Sequence, residues 1–318
     1  MSTLRRSSLY VPVNRPRFVE KAWNRGSDSI ILDLEDAVSP EEKPQARTLM
    51  REAISVVGKA GAEVAVRINH DTPKEDCDGS LWPGLTLIYY PKTETVEEIH
   101  EVDRVCSALE SKRGIPPNST EISAMIETAK GVWNAYDIAT ASSRIRWFGS
   151  VADGDLTANL GVPMEYLWEA DVLAYARGEC DLIARTLGLG VEGKLWYEGR
   201  ATIADFGDAE ALQVSSQRSA QAGYLGCLCI HPLQVDAFNR SFTPKPRDVA
   251  VARAVVKACE EAYARGEAYA EYKGRLVDRR VADGARDFLA FAEDCAASDA
   301  ERARRVAELQ AQEPENKS

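Results

Sequence analysis

The sequence predicts an α/β fold, a (β/α)8 TIM-type barrel followed by a C-terminal helical extension. Three observations carry this. Short β-branched apolar runs alternate with helical patterns through about eight units. The runs are apolar on both faces, as parallel strands covered on both sides are. No glycine-rich phosphate loop follows the first run, where a doubly wound dinucleotide fold would place one. The 318 residues accommodate a barrel of about 250 with an extension.

In chain order, 8–12 reads as the first strand and 17–25 as the first helix, ended by Gly26. Residues 29–34 (SIILDL) form a second strand. Ser39, Pro40, Glu41 and Glu42 read as N-cap, first position and acidic first turn of a helix to about Val57. Further strands are expected at 63–69, 85–90, 122–127, 144–151 and 227–230, with helices at 94–111, 131–140 and 165–186. The seventh unit, 190–208, has a poor strand and many turn residues. Beyond Phe242-Thr-Pro-Lys-Pro the pattern changes to Ala-rich helices at 247–265 and 282–309, so a catalytic barrel of 1–245 and an extension of 246–318 are expected.

Composition narrows the function. With 39 Lys+Arg against 50 Asp+Glu the net charge is −11, which disfavours broad nucleic-acid binding while leaving room for an anionic small molecule. Hydrophobic content of 45 % and charged content of 28 % exclude a mostly disordered chain. No apolar run approaches the roughly 18 residues of a membrane span, and the stretch after Arg6 is too short and proline-broken for a signal sequence. Seven cysteines without regular spacing are expected as reduced thiols of a cytoplasmic protein.

In a parallel barrel the loops after the strands build the site. Those ends carry Asp33-Leu-Glu35-Asp36, Arg67-Ile-Asn69, Pro91-Lys92, Glu127, Asp153-Gly-Asp155 and His231-Pro232. Carboxylates crowded into one concave mouth need a counter-charge, and Mg²⁺ is held by one or two carboxylates with water and substrate oxygens. Glu127 and Asp155 are the expected metal ligands. Glu35 and Asp36 would hold metal-bound waters, and Arg67 would face anionic substrate or developing negative charge. The competing reading is that such acids are helix caps or solvated loop residues. His231 is expected as a hydrogen-bonded structural histidine, and Lys92 as a charge partner of the acids. Arg15, Arg17, Lys43 and Arg47 are placed either to meet anionic phosphates or on solvated helix faces.

These residues also carry a family likeness. SLYVPVNRPRF from Ser8 and IILDLEDAVSPEEKPQAR from Ile30 closely resemble the start of the citrate lyase beta subunit and malyl-CoA lyase family. The likeness continues through Val66-Arg67-Ile-Asn69, Pro91-Lys92, Met125-Ile-Glu127-Thr128, Phe148-Gly149 and Gly154-Asp155-Leu-Thr-Ala-Asn-Leu-Gly161, and closes with Gly223 to Val235 and Phe242-Thr-Pro. The resemblance implies a TIM-type barrel, a Mg²⁺ site and carbon–carbon lyase chemistry on a carboxylated 3-hydroxyacyl-CoA such as malyl-, citramalyl- or citryl-CoA. It places the metal ligands on Glu127 and Asp155, the water-holding pair on Glu35 and Asp36, and the substrate arginine on Arg67. It also implies a homotrimer or homohexamer in which a C-terminal segment reaches a neighbour's site; Lys273-Gly-Arg-Leu-Val-Asp278 matches that segment, making Asp278 a candidate general acid or base.

The sequence departs from the family in three places. Val13 stands where a glycine usually follows the first strand's proline. Ala152-Asp153-Gly154 precedes Asp155, so Asp153 competes as a ligand. The seventh strand lacks its usual Ala-Ile-Asp. Two other functions therefore stay open: a CoA-independent hydroxy-oxo-acid aldolase, and a lyase subunit acting on a carrier-protein-bound substrate.

Overall fold

Eight parallel strands make the sheet of the first unit: β1 (Ser7–Pro12), β2 (Ser29–Asp33), β3 (Glu63–Arg67), β4 (Leu87–Tyr90), β5 (Glu121–Met125), β6 (Ile145–Ser150), β7 (Glu192–Gly193) and β8 (Gly226–Cys229). The computed structural model describes residues 4–150, 153–163, 173–193 and 208–312. Consecutive strands pair in parallel from β1 to β6, β7 pairs with β8, and β8 returns to β1. The last seam closes through a parallel bridge between Trp147 and Gly190. There the Gly190 N–H donates to the Arg146 carbonyl at 2.9 Å, and the Phe148 N–H to the Gly190 carbonyl at 3.1 Å. The ring of strands is complete, so the expected barrel is what the chain forms.

The helices of the first unit are α1 (Pro16–Ala22), α2 (Lys43–Gly58), α3 (Pro73–Ser80), α4 (Val96–Arg113), α5 (Ala129–Trp133), α6 (Ala135–Thr140), α7 (Asp153–Asn159), α8 (Ala174–Leu187) and α9 (Ala209–Gln221). Next in the chain is α10 (Leu233–Phe242). Local chemistry explains the best-defined starts. Thr95 accepts from the Glu98 N–H while Glu98 reaches back to the Thr95 N–H, a complete capping box for α4. Gly114, at φ 65°, ends it.

Several elements differ from the sequence expectation. The helix expected from Ser39 begins as a 3-10 turn, Pro40–Glu42, before α2. Ser39 caps nothing; its hydroxyl donates to Glu42 Oε2 at 3.0 Å. The helix expected over 131–140 is broken at Asn134 into α5 and α6. Residues 165–172 of the expected 165–186 helix, and 194–207 of the seventh unit, lie outside the described residues. α3, α7, α9 and α10 were not anticipated. α3 reads PKEDCDGS, too polar for periodicity to reveal. Asp76 anchors it instead, bonding Arg47 Nε at 2.6 Å and the Asn69 N–H at 2.6 Å.

Inside the barrel, Ile31, Ala65, Leu87, Tyr89 and Met125 form one buried cluster, with Tyr10 and Leu228 against it. The floor below them is ionic. Arg5 donates from Nε and Nη2 to Glu63 and from Nη2 to Glu121, each at 2.6–2.7 Å, and its guanidinium lies 4.7 Å from the Trp147 ring centre. Gly226 lets the Arg5 backbone pass: a Cβ there would lie 1.7 Å from the Arg5 carbonyl oxygen. Gly190 is constrained in the same way, because a Cβ would come within 2.6 Å of the Trp147 ring.

The second unit, Ser241–Ser318, is separately compact. It holds α11 (Pro246–Ala264), an antiparallel hairpin of β9 (Ala270–Tyr272) and β10 (Arg275–Val277), and the 34-residue α12 (Arg279–Gln312). Val255, Cys259, Ala262, Ala270, Val277 and Ala282 form its core. The hairpin turns through Lys273 and Gly274, both at positive φ. All seven cysteines are buried and free of disulfides. Among the described residues, no helix is long and apolar enough to cross a membrane.

At the base of β6, Arg144 donates to Asp103, Glu110 and the Thr120 carbonyl. Burial pushes Glu110 upward, but Arg144 and the amides of Thr120 and Asn118 more than reverse it and hold its carboxyl at about 2, below the ordinary 4.5. Its stabilisation is therefore complete above pH 4.5 and is lost as pH falls toward 2. Glu110→Gln should cost ~3 kcal/mol at pH 7 by urea unfolding, because it breaks a buried ion pair. The gap from wild type should narrow progressively below pH 4.5.

Candidate active site at the barrel mouth

Strand alternation places the mouth residues one step above the interior cluster. Asp33 lies two residues beyond Ile31, Arg67 two beyond Ala65, and Glu127 two beyond Met125. The β2–β3 register sets Asp33 directly opposite Arg67. Arg67 Nε and Nη2 meet the two Asp33 oxygens at 2.8 and 2.7 Å, a bidentate fork. The Tyr10 ring centre lies 4.7 Å from the guanidinium carbon. Nη1 is left for Glu35 Oε2 at 2.9 Å and Asp36 Oδ2 at 3.0 Å. Burial alone would make Arg67 easier to deprotonate; Asp33 foremost, with Tyr10 and Glu35, reverses this and holds it above the ordinary arginine range.

Lys92 follows β4, the strand that pairs with β3 beside this fork. Its N–H donates to Glu127 Oε2 at 2.9 Å, its Nζ to Glu35 Oε1 at 2.6 Å, and Nζ stands 3.6 Å from Asp155 Oδ1. Glu127 is buried, and burial, then the charges of Asp155 and Glu35, push its carboxyl up to about 8. Glu35 is raised too, by burial first, against the opposing pull of Arg67 and Lys92. A buried acid this reluctant to ionise is one that a cation would stabilise.

The donor set suits a hard divalent cation: carboxylate oxygens only, on a rigid rim. Among the described residues, no three His, Cys, Asp or Glu side chains enclose a cation by themselves. Mg²⁺ does not need that, since water and substrate complete a shell begun by one or two carboxylates. Glu127 and Asp155 are two carboxylates of this rim, and both contact Lys92.

The expected residues thus converge in part. Glu35, Lys92, Glu127 and Asp155 are linked through Lys92, and Arg67 joins them through Glu35. Asp36 touches only Arg67 among the ion pairs of the site, with 61 % of its side chain exposed. The side chain of Asp153 lies outside the described residues. Asp278 belongs to the second unit, where it is exposed and its Oδ1 accepts the Val281 N–H at 3.0 Å, capping α12. His231 accepts the Leu233 N–H on Nδ1 at 3.3 Å, a structural bond as expected. Of the four basic residues near the first helices, Arg47 is held by Asp76 and Thr72 and Lys43 by Asn69, whereas Arg15 and Arg17 are exposed.

The sequence puts Asp33 at a strand end and shows no role for it. It sat in the quoted motif, but only its place opposite Arg67 reveals its work: besides the fork, it accepts the N–H groups of Glu35 and Ala37 at 3.0 and 3.2 Å. Val13 is not among the non-glycine residues at positive φ, and its side chain is buried.

The family model of the HpcH/HpaI aldolase/citrate lyase family matches residues 6–232. The chain belongs to the HpcH/HpaI aldolase/citrate lyase family. Its relatives include the citrate lyase subunit beta of Leuconostoc mesenteroides subsp. cremoris, 34 % identical over 281 residues, covering 87 % of this chain and 90 % of that one. The L-malyl-CoA/beta-methylmalyl-CoA lyase of Cereibacter sphaeroides is 34 % identical over 297 residues, covering 86 % and 90 %. The CitE protein of Mycobacterium tuberculosis, solved in complex with magnesium, acetoacetate and coenzyme A, is 26 % identical with a TM-score of 0.68, covering 92 % of this chain and 99 % of that one.

Asp33→Asn keeps the shape of the side chain but loses one strong acceptor of the fork. It should destabilise the fold by ~2–3 kcal/mol in urea unfolding, and a crystal structure of the variant should show Arg67 turned from its present direction.

Proposed function

We propose that the chain cleaves, or forms, a carboxylated 3-hydroxyacyl-CoA such as malyl-, citramalyl- or citryl-CoA, the products of cleavage being an acyl-CoA and an oxo acid. The enzyme is a carbon–carbon lyase that uses Mg²⁺. The observation that carries the reading is the meeting of Glu35, Glu127 and Asp155 around Lys92, beside the Arg67 fork.

Glu127 and Asp155 would hold the cation, with Glu35 and Asp36 bonded to its waters. The bound cation supplies Lewis acidity to the hydroxyl and carboxylate oxygens of the acid fragment. In cleavage a base takes the hydroxyl proton, and the carbon–carbon bond breaks. Its electron pair passes into the thioester enolate, while the hydroxyl carbon leaves as the carbonyl of the oxo acid. Arg67, held through Nε and Nη2 by Asp33 and through Nη1 by Glu35 and Asp36, would set its positive charge beside the growing negative charge. The enolate carbon then takes a proton, giving the acyl-CoA. Asp278 of a neighbouring copy is assigned one of these proton transfers; its exposure in the second unit supports that role. The reading includes a homotrimer or homohexamer, with residues 1–245 as catalytic barrel and 246–318 packed on a neighbour. It also includes a cytoplasmic location, supported by seven free thiols.

The test is a panel of malyl-, citramalyl-, methylmalyl- and citryl-CoA incubated with enzyme and Mg²⁺, with CoA esters and oxo acids read by mass spectrometry. One ester should be cleaved to an equimolar acyl-CoA and oxo acid, and chelation should abolish the reaction. Turnover of a free hydroxy-oxo acid alone would assign the aldolase reading, and activity only with a carrier protein the subunit reading. Glu127→Gln should lower kcat at least ~100-fold and weaken Mg²⁺ binding; unchanged values for both would remove Glu127 from the metal site.

A further inference from the structure

The acids of the mouth are already gripped by one side chain. Lys92 has φ 51°, in the left-handed region that a lysine rarely adopts. That turn aims one residue two ways: its backbone N–H meets Glu127, and its ammonium meets Glu35 at 2.6 Å and Asp155 at 3.6 Å. Acids following three different strands therefore converge on it. Its ammonium is the cation that holds these carboxylates together.

An ammonium and a divalent cation need the same carboxylate oxygens and repel each other at contact distance. We propose that Lys92 is a built-in competitor that sets the metal affinity of this site: a divalent cation gains Asp155, and its waters gain Glu35, only as the ammonium yields them. The inference rests on the metal reading of Glu127 and Asp155. With 35 % of its side chain exposed, Lys92 has room to swing outward. The arrangement would keep the acids neutralised and spaced, at the cost of a weaker grip on the metal, so that the cation binds best together with an anionic substrate.

The full chain, without substrate, is titrated with Mn²⁺ and free ion is read by electron paramagnetic resonance. Lys92→Met, and Lys92→Asn, whose residue tolerates the left-handed backbone, should bind Mn²⁺ at least ~tenfold tighter than wild type. Lys92→Arg, which keeps the charge, should stay within ~threefold of it. Equal or weaker binding by the uncharged variants overturns the proposal, because a purely structural lysine predicts that direction. A second measurement needs no variant: saturating Mg²⁺ should speed acylation of Lys92 by an amine-reactive ester, read by peptide mass spectrometry, and an unchanged or slower rate counts against competition. A chain that binds no Mn²⁺ in any form removes the metal site itself, which separates the two failures.

Discussion

The mouth of this barrel depends on one parallel register. Because β2 and β3 pair with Asp33 opposite Arg67, a carboxylate and a guanidinium leave the sheet side by side on the same face. The fork that results fixes the arginine on two nitrogens, while the third meets Glu35 and Asp36. The same carboxylate holds the amides of Glu35 and Ala37, so the loop after β2 cannot shift without loosening the arginine. A slip of one residue between these strands would turn Asp33 and Arg67 to opposite faces and dismantle both arrangements together.

Lys92 extends this coupling to the rest of the rim. Its backbone strain, of the order of 1–3 kcal/mol for a non-glycine residue held at such an angle, is offset by three polar contacts to acids from different loops. Fork and ammonium share Glu35, whose two oxygens face Arg67 and Lys92 respectively. The cations of the site are therefore linked through one buried carboxylate, and a change at either is felt at the other.

Much of the barrel could be read from the chain because its strands are short and built around apolar residues, as in SIILD, where every residue is buried. The seventh strand could not. It spans two residues, and the seam beside it relies on Gly190 fitting under Trp147, a steric fact with no periodic trace. Polar helices such as α3 were hidden for a related reason: tertiary bonds to Asp76 hold that helix, not an apolar stripe. For the site, residue types after strands were enough to gather Glu35, Arg67, Glu127 and Asp155. Asp33 stands among them in the sequence, but its role as the partner of Arg67 depends on the register between two strands, which a linear pattern does not show. Lys92 was recognised as a charge partner, but its left-handed backbone, and so its hold on three acids at once, has no signature in a linear pattern.

The ionic floor of the barrel lies at the strand starts. Arg5 bonds Glu63 at the start of β3 and Glu121 at the start of β5, and its guanidinium rests against the Trp147 ring of β6. One guanidinium therefore ties three strands, and its loss would loosen staves whose far ends lead to Arg67, Glu127 and Asp155.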